Sequence, residues 1–254
     1  MQELFTAYQM PKNYSLIFSF LIISFSCFSQ SFSKTEIYSW YDSQIGIENS
    51  SLFQGIEYVE EHRMINEKHK FFESNEYRKG RLIYDGQLYD NVPLKFNIYD
   101  DLLMVNLQQE QRNSFFQLFS DKVNEFQLNN HKFNFLEAKN DSNIHGFYEV
   151  ISAEGNFKIF KKYIKEKMEQ RDRSFAYFEF STADPVYIFQ INDKFYDLDN
   201  RRDLFLQFTH HKKEIRNFYK EFRKQSRNRP DTFMIRLADK MNTLLLIASN
   251  DIKK

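Results

Sequence analysis

From Gly80 onward the chain repeats one short grammar, a run of alternating apolar and polar residues followed by a tight turn. The stretch RLIYDGQLYDNVPLKFNIYDDLLMVNL, Arg81 to Leu107, shows it most fully. Asp85-Gly86 separates Leu82-Ile83-Tyr84 from Leu88-Tyr89, and Asp-Gly suits a type I′ hairpin because both central residues tolerate positive φ. Pro93 has no amide proton, which predicts a strand start or an edge. Leu94, Phe96 and Ile98 then alternate with Lys95, Asn97 and Tyr99. A period of two puts the first set on the core, and Lys95 and Asn97 toward solvent or the opposite sheet surface. Asp100-Asp101 turns the chain again.

The same pattern continues through KVNEFQL and HKFNFLEA around Asn129-Asn130, GFYEVIS and NFKIFKKYI around Ala153-Glu154-Gly155, the strand SFAYFEF, and PVYIFQI and KFYDL around Asn192-Asp193. About nine or ten short strands joined by tight turns predict an antiparallel β meander or partly closed barrel. After Asn200 the period changes to that of a helix. Asn200 and Asp203 suit a helix start. Ile215, Phe218, Tyr219 and Phe222 follow helical spacing. Asn228-Arg229-Pro230 breaks the run, and a last helix capped by Asp231 or Thr232 carries Met234, Leu237, Ala238, Met241, Leu245 and Ala248. The fold class is therefore α+β: residues 80–199 an antiparallel β region, and residues 200–254 a C-terminal pair of amphipathic helices packed on it.

Before the β region, residues 30–79 form an irregular N-terminal lead with no clean period, anchored by Tyr58, Phe71 and Phe72. Residues 1–29 carry the order of a secretory signal peptide. Lys12 precedes the apolar run Tyr14 to Phe28, and Ser29-Gln30-Ser31 offers a cleavage point between Ser29 and Gln30. The run is short for a membrane span, and Met10 is a candidate natural start. Cys27, the only cysteine, falls inside this segment, so the mature chain 30–254 is expected to be one domain without disulfides or thiolate chemistry. Acylation of Cys27, as in a lipoprotein, is the competing reading. With 35 basic and 35 acidic residues the net charge is zero, so no global field recruits nucleic acid.

No phosphate loop, nucleophile elbow or H-E-x-x-H motif occurs. His62 and His69 would lie about 10 Å apart on a helix, too far to share a metal. With His131, His145, His210 and His211 they read as surface histidines. Carboxylate pairs at Asp100-Asp101, Glu60-Glu61 and Asp197/Asp199 are what a glycosidase would need across a cleft, and turn aspartates bonded to local amides are the simpler reading. Two stretches are basic. Lys158–Arg173 holds seven cations against three acids, and Lys212–Arg229 eight against two. Each fits either contact with an anionic surface or a solvated helix face. Tyr84, Tyr89, Tyr99, Phe178 and Tyr187 fit either a barrel mouth that stacks on a ligand or cross-strand packing.

A signal peptide ending in Phe28-Ser29-Gln30, the run from Lys70-Phe71-Phe72 through GRLIYDGQLYDNVPLKFNIYDDLLMV, and KKEIRNFYKEFRK near the C-terminus resemble a group of uncharacterised secreted proteins of Bacteroidota. In that group a YDGQxYxxVPLxYDxxxD stretch precedes hairpins and a lysine-rich helix pair. Asn97 stands here where the group often has aspartate. The resemblance implies an address and an architecture, and carries over no functional residue. The resulting expectation is an exported, non-enzymatic binding or interaction protein of the cell envelope, secreted or periplasmic in a Gram-negative cell. The alternatives are an envelope glycan hydrolase using Asp/Glu carboxylates and a structural accessory of an outer-membrane complex. No catalytic, cofactor-binding or metal residue and no cofactor is assigned. The expected partner is an envelope protein or an anionic surface met by the basic helices, with no nucleic acid and no transmembrane span after processing.

Overall fold

The computed structural model describes residues 51–109, 112–138 and 144–251. The segment read as a signal peptide, Cys27, the Ser29–Gln30 junction, the lead as far as residue 50 and the side chain of Ala248 lie outside the described residues. Thirteen strands are described: β1 (Ile56–Glu57), β2 (Arg78–Tyr84), β3 (Gln87–Asn97), β4 (Leu102–Gln109), β5 (Arg112–Gln117), β6 (Val123–Leu128), β7 (His131–Glu137), β8 (His145–Ser152), β9 (Phe157–Lys162), β10 (Lys165–Arg171), β11 (Ala176–Thr182), β12 (Val186–Ile191) and β13 (Lys194–Asp197). The turns form where their residues allow. Asp85 and Gly86 have φ of 51° and 77°, and Asn192 and Asp193 of 49° and 59°, the left-handed pairs a type I′ hairpin requires.

Eleven strands make one antiparallel sheet in the order β1-β5-β4-β3-β2-β6-β7-β8-β9-β12-β13. The ladder is open at β1 and β13, so the α+β class holds as a large antiparallel sheet that is not closed, followed by C-terminal helices. The chain is not a pure meander either, because β6 returns beside β2. Even so the sheet curls. Four strand steps would separate β3 from β8 by about 19 Å in a flat sheet, yet the rings of Phe96 and Phe147 lie 5.7 Å apart. Phe96, Phe126, Phe133 and Phe147 meet edge-on or stacked in this first core, closed by Leu94, Leu103 and Val105. Pro93 lies inside β3, not at its start. Pairing to β4 begins only at Leu94, so on that side β3 is an edge as far as the proline.

The second half of the sheet is covered by helices: α1 (Arg201–Gln207), α2 (Lys212–Glu221), α3 (Arg223–Asn228) and α4 (Pro230–Asp251). The predicted pair is thus four segments. A capping box starts α1, with Asn200 accepting from the Arg202 N–H at 2.9 Å and Asp203 from the Asn200 N–H at 2.8 Å. Phe208–His211 interrupts the run before α2, and a local break at Phe222 divides α2 from α3. Ile215, Phe218, Phe233, Leu237, Ala238 and Met241 meet Phe157, Ile159 and Phe189 in a second core. Pro230 opens α4, and Asp231 does not cap it. Its carboxylate instead takes Lys161 Nζ at 2.8 Å and the Tyr187 hydroxyl at 2.6 Å, tying the helix start to the sheet. Lys161 and Glu149 are both nearly buried where the two cores meet. The Glu149 carboxylate accepts from Tyr163 at 2.8 Å and pairs with His131.

β10 and β11 form a separate hairpin whose inner face carries Phe178 and Phe180. The lead bonds from the Tyr58 N–H to β5, accepts from Phe178 and Phe180 of β11 through the Arg63 and Lys68 carbonyls, and pairs with the end of β3 at Lys70–Phe72, Phe71 opposite Asn97. Phe71 and Phe72 anchor it as expected, both buried, and β1 extends the sheet beyond β5. Lys95 and Asn97 therefore face the opposite sheet surface, which is covered: Asn97 is fully buried.

Candidate functional site

β3 presents Lys95 and β4 presents Met104 directly opposite it on the outer face, with Phe115 of β5 beside them. The lead crosses this face and adds Tyr58, Glu60, Asn75 and Tyr77. Together they bound a cleft of about 500 Å³, within the range of small-molecule sites, roughly 300–1,000 Å³. The Lys95 ammonium is 2.8 Å from Asn75 Oδ1 and lies over the rings of Phe71 at 3.7 Å and Tyr77 at 5.3 Å. Burial lowers its pKa to about 8, with Glu60 opposing the shift and Lys70 adding to it. No carboxylate among the described residues lies within salt-bridge distance of it. The Tyr77 ring stacks on Phe115, centroids 5.4 Å apart, and Phe115 keeps 39% of its surface exposed.

Behind the cleft a lysine is buried. Lys70, 2% exposed, contacts Glu60 at 2.8 Å, Asp100 at 3.1 Å and His62 Nδ1 at 3.3 Å. Burial opposes its charge, but hydrogen bonds to Glu60 and Tyr58 outweigh that and raise its pKa. Glu60 also accepts from the Tyr58 hydroxyl and the His62 N–H, both at 2.9 Å. Burial pushes the Tyr58 phenol up to about 12, so it remains a donor. His62 sits between Lys70 and Lys167, which approaches Nε2 at 3.2 Å. Burial first, then these two cations, lower its pKa and keep the ring neutral.

The residues singled out in the sequence are thereby placed. Asp100 accepts from Asn97 at 2.7 Å and holds Lys70. Asp101 instead crosses to β8, meeting the Phe147 N–H at 3.3 Å and Lys162 at 2.9 Å. Gly146 permits that approach: an added Cβ would meet the Asp101 carboxylate, and its φ is +109°. The turn aspartates are structural and point to different neighbours. His62 and His69 are mostly buried, not surface residues, because the lead folds them under the β10–β11 hairpin and β3. Among the described residues no group of three His, Cys, Asp or Glu could hold a metal. Of the aromatics, Tyr84 and Tyr89 are buried in the first core and Tyr187 is bonded to Asp231. Tyr99 and Phe178 pack on His62, so the five do not line one mouth.

The two basic stretches part company. Lys158–Arg173 is not a helix but β9 and β10. Lys161, Lys162 and Lys165 are internal partners of Asp231, Asp101 and the His69 carbonyl. Lys212–Arg229 is helical, and its eight cations are all exposed. Lys212, Arg216, Lys220, Arg223 and Arg227 recur every three or four residues, which stacks them along one flank of α2 and α3 beside the buried Ile215–Phe218 stripe. Glu214 and Glu221 fall on the other flank by the same spacing. None of the eight forms a salt bridge among the described residues, in contrast to Lys70 or Lys161.

The cleft was not found by sequence reasoning. Its walls come from an irregular segment and its floor from the sheet face read as turned to solvent or to the opposite sheet surface, and the separations between them leave no local pattern. The only signal was Lys95 within an apolar alternation. No family model, curated protein or solved structure matches this chain.

Proposed function

We propose that this is an exported, non-enzymatic binding protein of the cell envelope that engages an anionic surface through the cationic flank of α2 and α3. The observation that carries the reading is the segregation of that flank: five exposed cations, Lys212, Arg216, Lys220, Arg223 and Arg227, without salt bridges among the described residues, on helices whose neighbouring stripe is anchored in the core. Each basic residue held near an anionic lipid surface contributes about 1 kcal/mol, so even half of them engaged gives measurable binding. Among the described residues no helix is long and apolar enough to cross a membrane, which says nothing of crossing by strands. In this reading attachment is peripheral. The secretory address rests on the order of residues 1–29.

The hydrolase alternative finds less support. Glu60, the acid that lines the cleft, serves with Asp100 as a counterion to Lys70. The accessory reading remains a matter of which anionic partner meets the same flank. Co-sedimentation of residues 30–254 with vesicles tests the proposal. Vesicles containing phosphatidylglycerol should retain the protein at low salt, release it as salt rises, and retain it poorly when Lys212, Arg216, Lys220, Arg223 and Arg227 are changed to Glu. Neutral phosphatidylcholine vesicles should not retain it. Equal retention by both vesicle types, or by the folded charge-reversed variant, would contradict the proposal.

A further inference from the structure

We infer that the cleft between the lead and the outer face of β3–β5 binds a small oxyanion-bearing molecule with a planar apolar body, its anionic head on Lys95 and its body against Tyr77 and Phe115. This stands apart from the helical flank and does not rest on it. Lys95 is the focus because its charge is held without a counterion. The ammonium has three donors; one meets Asn75 Oδ1, and the Phe71 and Tyr77 rings supply only face contacts to the rest. Glu60, the acid that lines the same cleft, already accepts from Lys70, Tyr58 and the His62 amide, so its charge is compensated from behind. Arg63 adds a second cation to the lining, its guanidinium stacked 3.9 Å over Phe175. The balance of the cleft is therefore positive.

Desolvating a cation without a partner is costly, and a bound oxyanion would offset that cost. The lowered pKa of Lys95 records the same imbalance, set by burial and Lys70 against the attraction of Glu60. The body of the ligand is selected by the floor. Phe115 is backed by Tyr77 in a stacked pair and still presents over a third of its surface, beside the buried Met104. An aromatic face fixed from behind favours a flat apolar group. A carboxylate or a phosphate on such a body has the required chemistry.

Titration of the isotopically labelled protein with benzoate, phenyl phosphate, benzyl alcohol and benzylamine, followed by amide shifts, tests this. The expected result is saturable binding of at least one of the two anions, with shifts clustered at Asn75, Tyr77, Lys95 and Phe115. The alcohol and the amine should bind at least tenfold more weakly. Preference for benzoate would point to a carboxylate source, and preference for phenyl phosphate to a phosphate ester. Lys95→Met keeps an unbranched side chain of similar length without the charge and should lower anion affinity at least tenfold while vesicle retention stays unchanged. Anion affinity should also fall as pH rises through about 8, where Lys95 loses its charge. Binding of the alcohol as tight as that of the anions would overturn the inference. So would unchanged affinity in folded Lys95→Met, or no anion binding at tens of millimolar. Should Lys95→Met fail to fold, the wild-type shifts decide: a cluster elsewhere on the surface overturns it.

Discussion

Lys70 and Lys95 are two lysines on one side of one sheet with opposite electrostatics. Lys70 is nearly sealed from solvent and is matched by Glu60 and Asp100. Removing one partner of a buried ion pair typically costs about 3–5 kcal/mol, because the charges left behind remain desolvated. Glu60 and Asp100 are each about a third exposed, so Lys70→Met should fall near the lower end, about 3 kcal/mol by urea titration. A loss under about 0.5 kcal/mol, typical of surface substitutions, would mean that the cluster is not formed. Lys95 behaves in the reverse sense. Its folded pKa of about 8 lies below the unfolded value of about 10.4. Between those values the unfolded chain binds the extra proton, so stability rises with pH across that window. Wild type should therefore gain stability relative to Lys95→Met as pH is raised from about 8 to about 10.4. If the stability of wild type minus that of Lys95→Met stays constant or falls over this window, the amine is not desolvated. Neither lysine's environment was legible in the sequence. Lys-His-Lys-Phe-Phe carries no period, and the partners of Lys70 lie ten and thirty residues away at Glu60 and Asp100.

At the scale of elements the sequence was most readable where structure is local. Alternation and turn chemistry specify a hairpin from a dozen neighbouring residues, and Asp85-Gly86, Asn129 and Asn192-Asp193 adopt the positive φ that their positions imply. The capping box at Asn200 was equally local. What failed was long-range or depended on context. The return of β6 to β2 is a pairing across the whole β3–β5 excursion, and no residue in either strand announces it. The β10–β11 hairpin leaves the main sheet because Lys165–Arg171 offers charged residues where a second buried face would need apolar ones. The basic stretch Lys158–Arg173 fitted a solvated helix face or an anionic contact, but it is two strands, and Lys161 and Lys162 are held by Asp231 of α4 and Asp101 of the turn before β4. The helices supply much of the second core, including Ile215, Phe233, Leu237 and Met241. Asn242 also clamps the β8–β9 turn, accepting from the Phe157 N–H at 2.8 Å and donating to the Glu154 and Phe157 carbonyls. Ending the chain at Asn200 should thus give an aggregated or molten product, with secondary structure but no near-ultraviolet circular dichroism and strong dye binding. Cooperative unfolding of a soluble truncated protein would show that the sheet folds without its cover.

Across the whole molecule, charge is neutral in sum and uneven in place. Several cations are matched inside the structure, Lys161 to Asp231, Lys162 to Asp101 and Lys70 to Glu60, whereas the eight between Lys212 and Arg229 are exposed and form no salt bridge among the described residues. That contrast was only half visible beforehand, because composition shows how many cations a stretch holds and not which of them meet acids from elsewhere. It underlies the proposal that the helical flank meets an anionic partner. Hydrogen–deuterium exchange of residues 30–254, with and without phosphatidylglycerol vesicles, tests it most directly. Exchange should slow only in peptides from residues 201–229, stay unchanged in β3–β5, and recover at high salt. Protection centred on the sheet or on the 58–77 segment, with peptides from 201–229 unaffected while the protein is vesicle-bound, would contradict it.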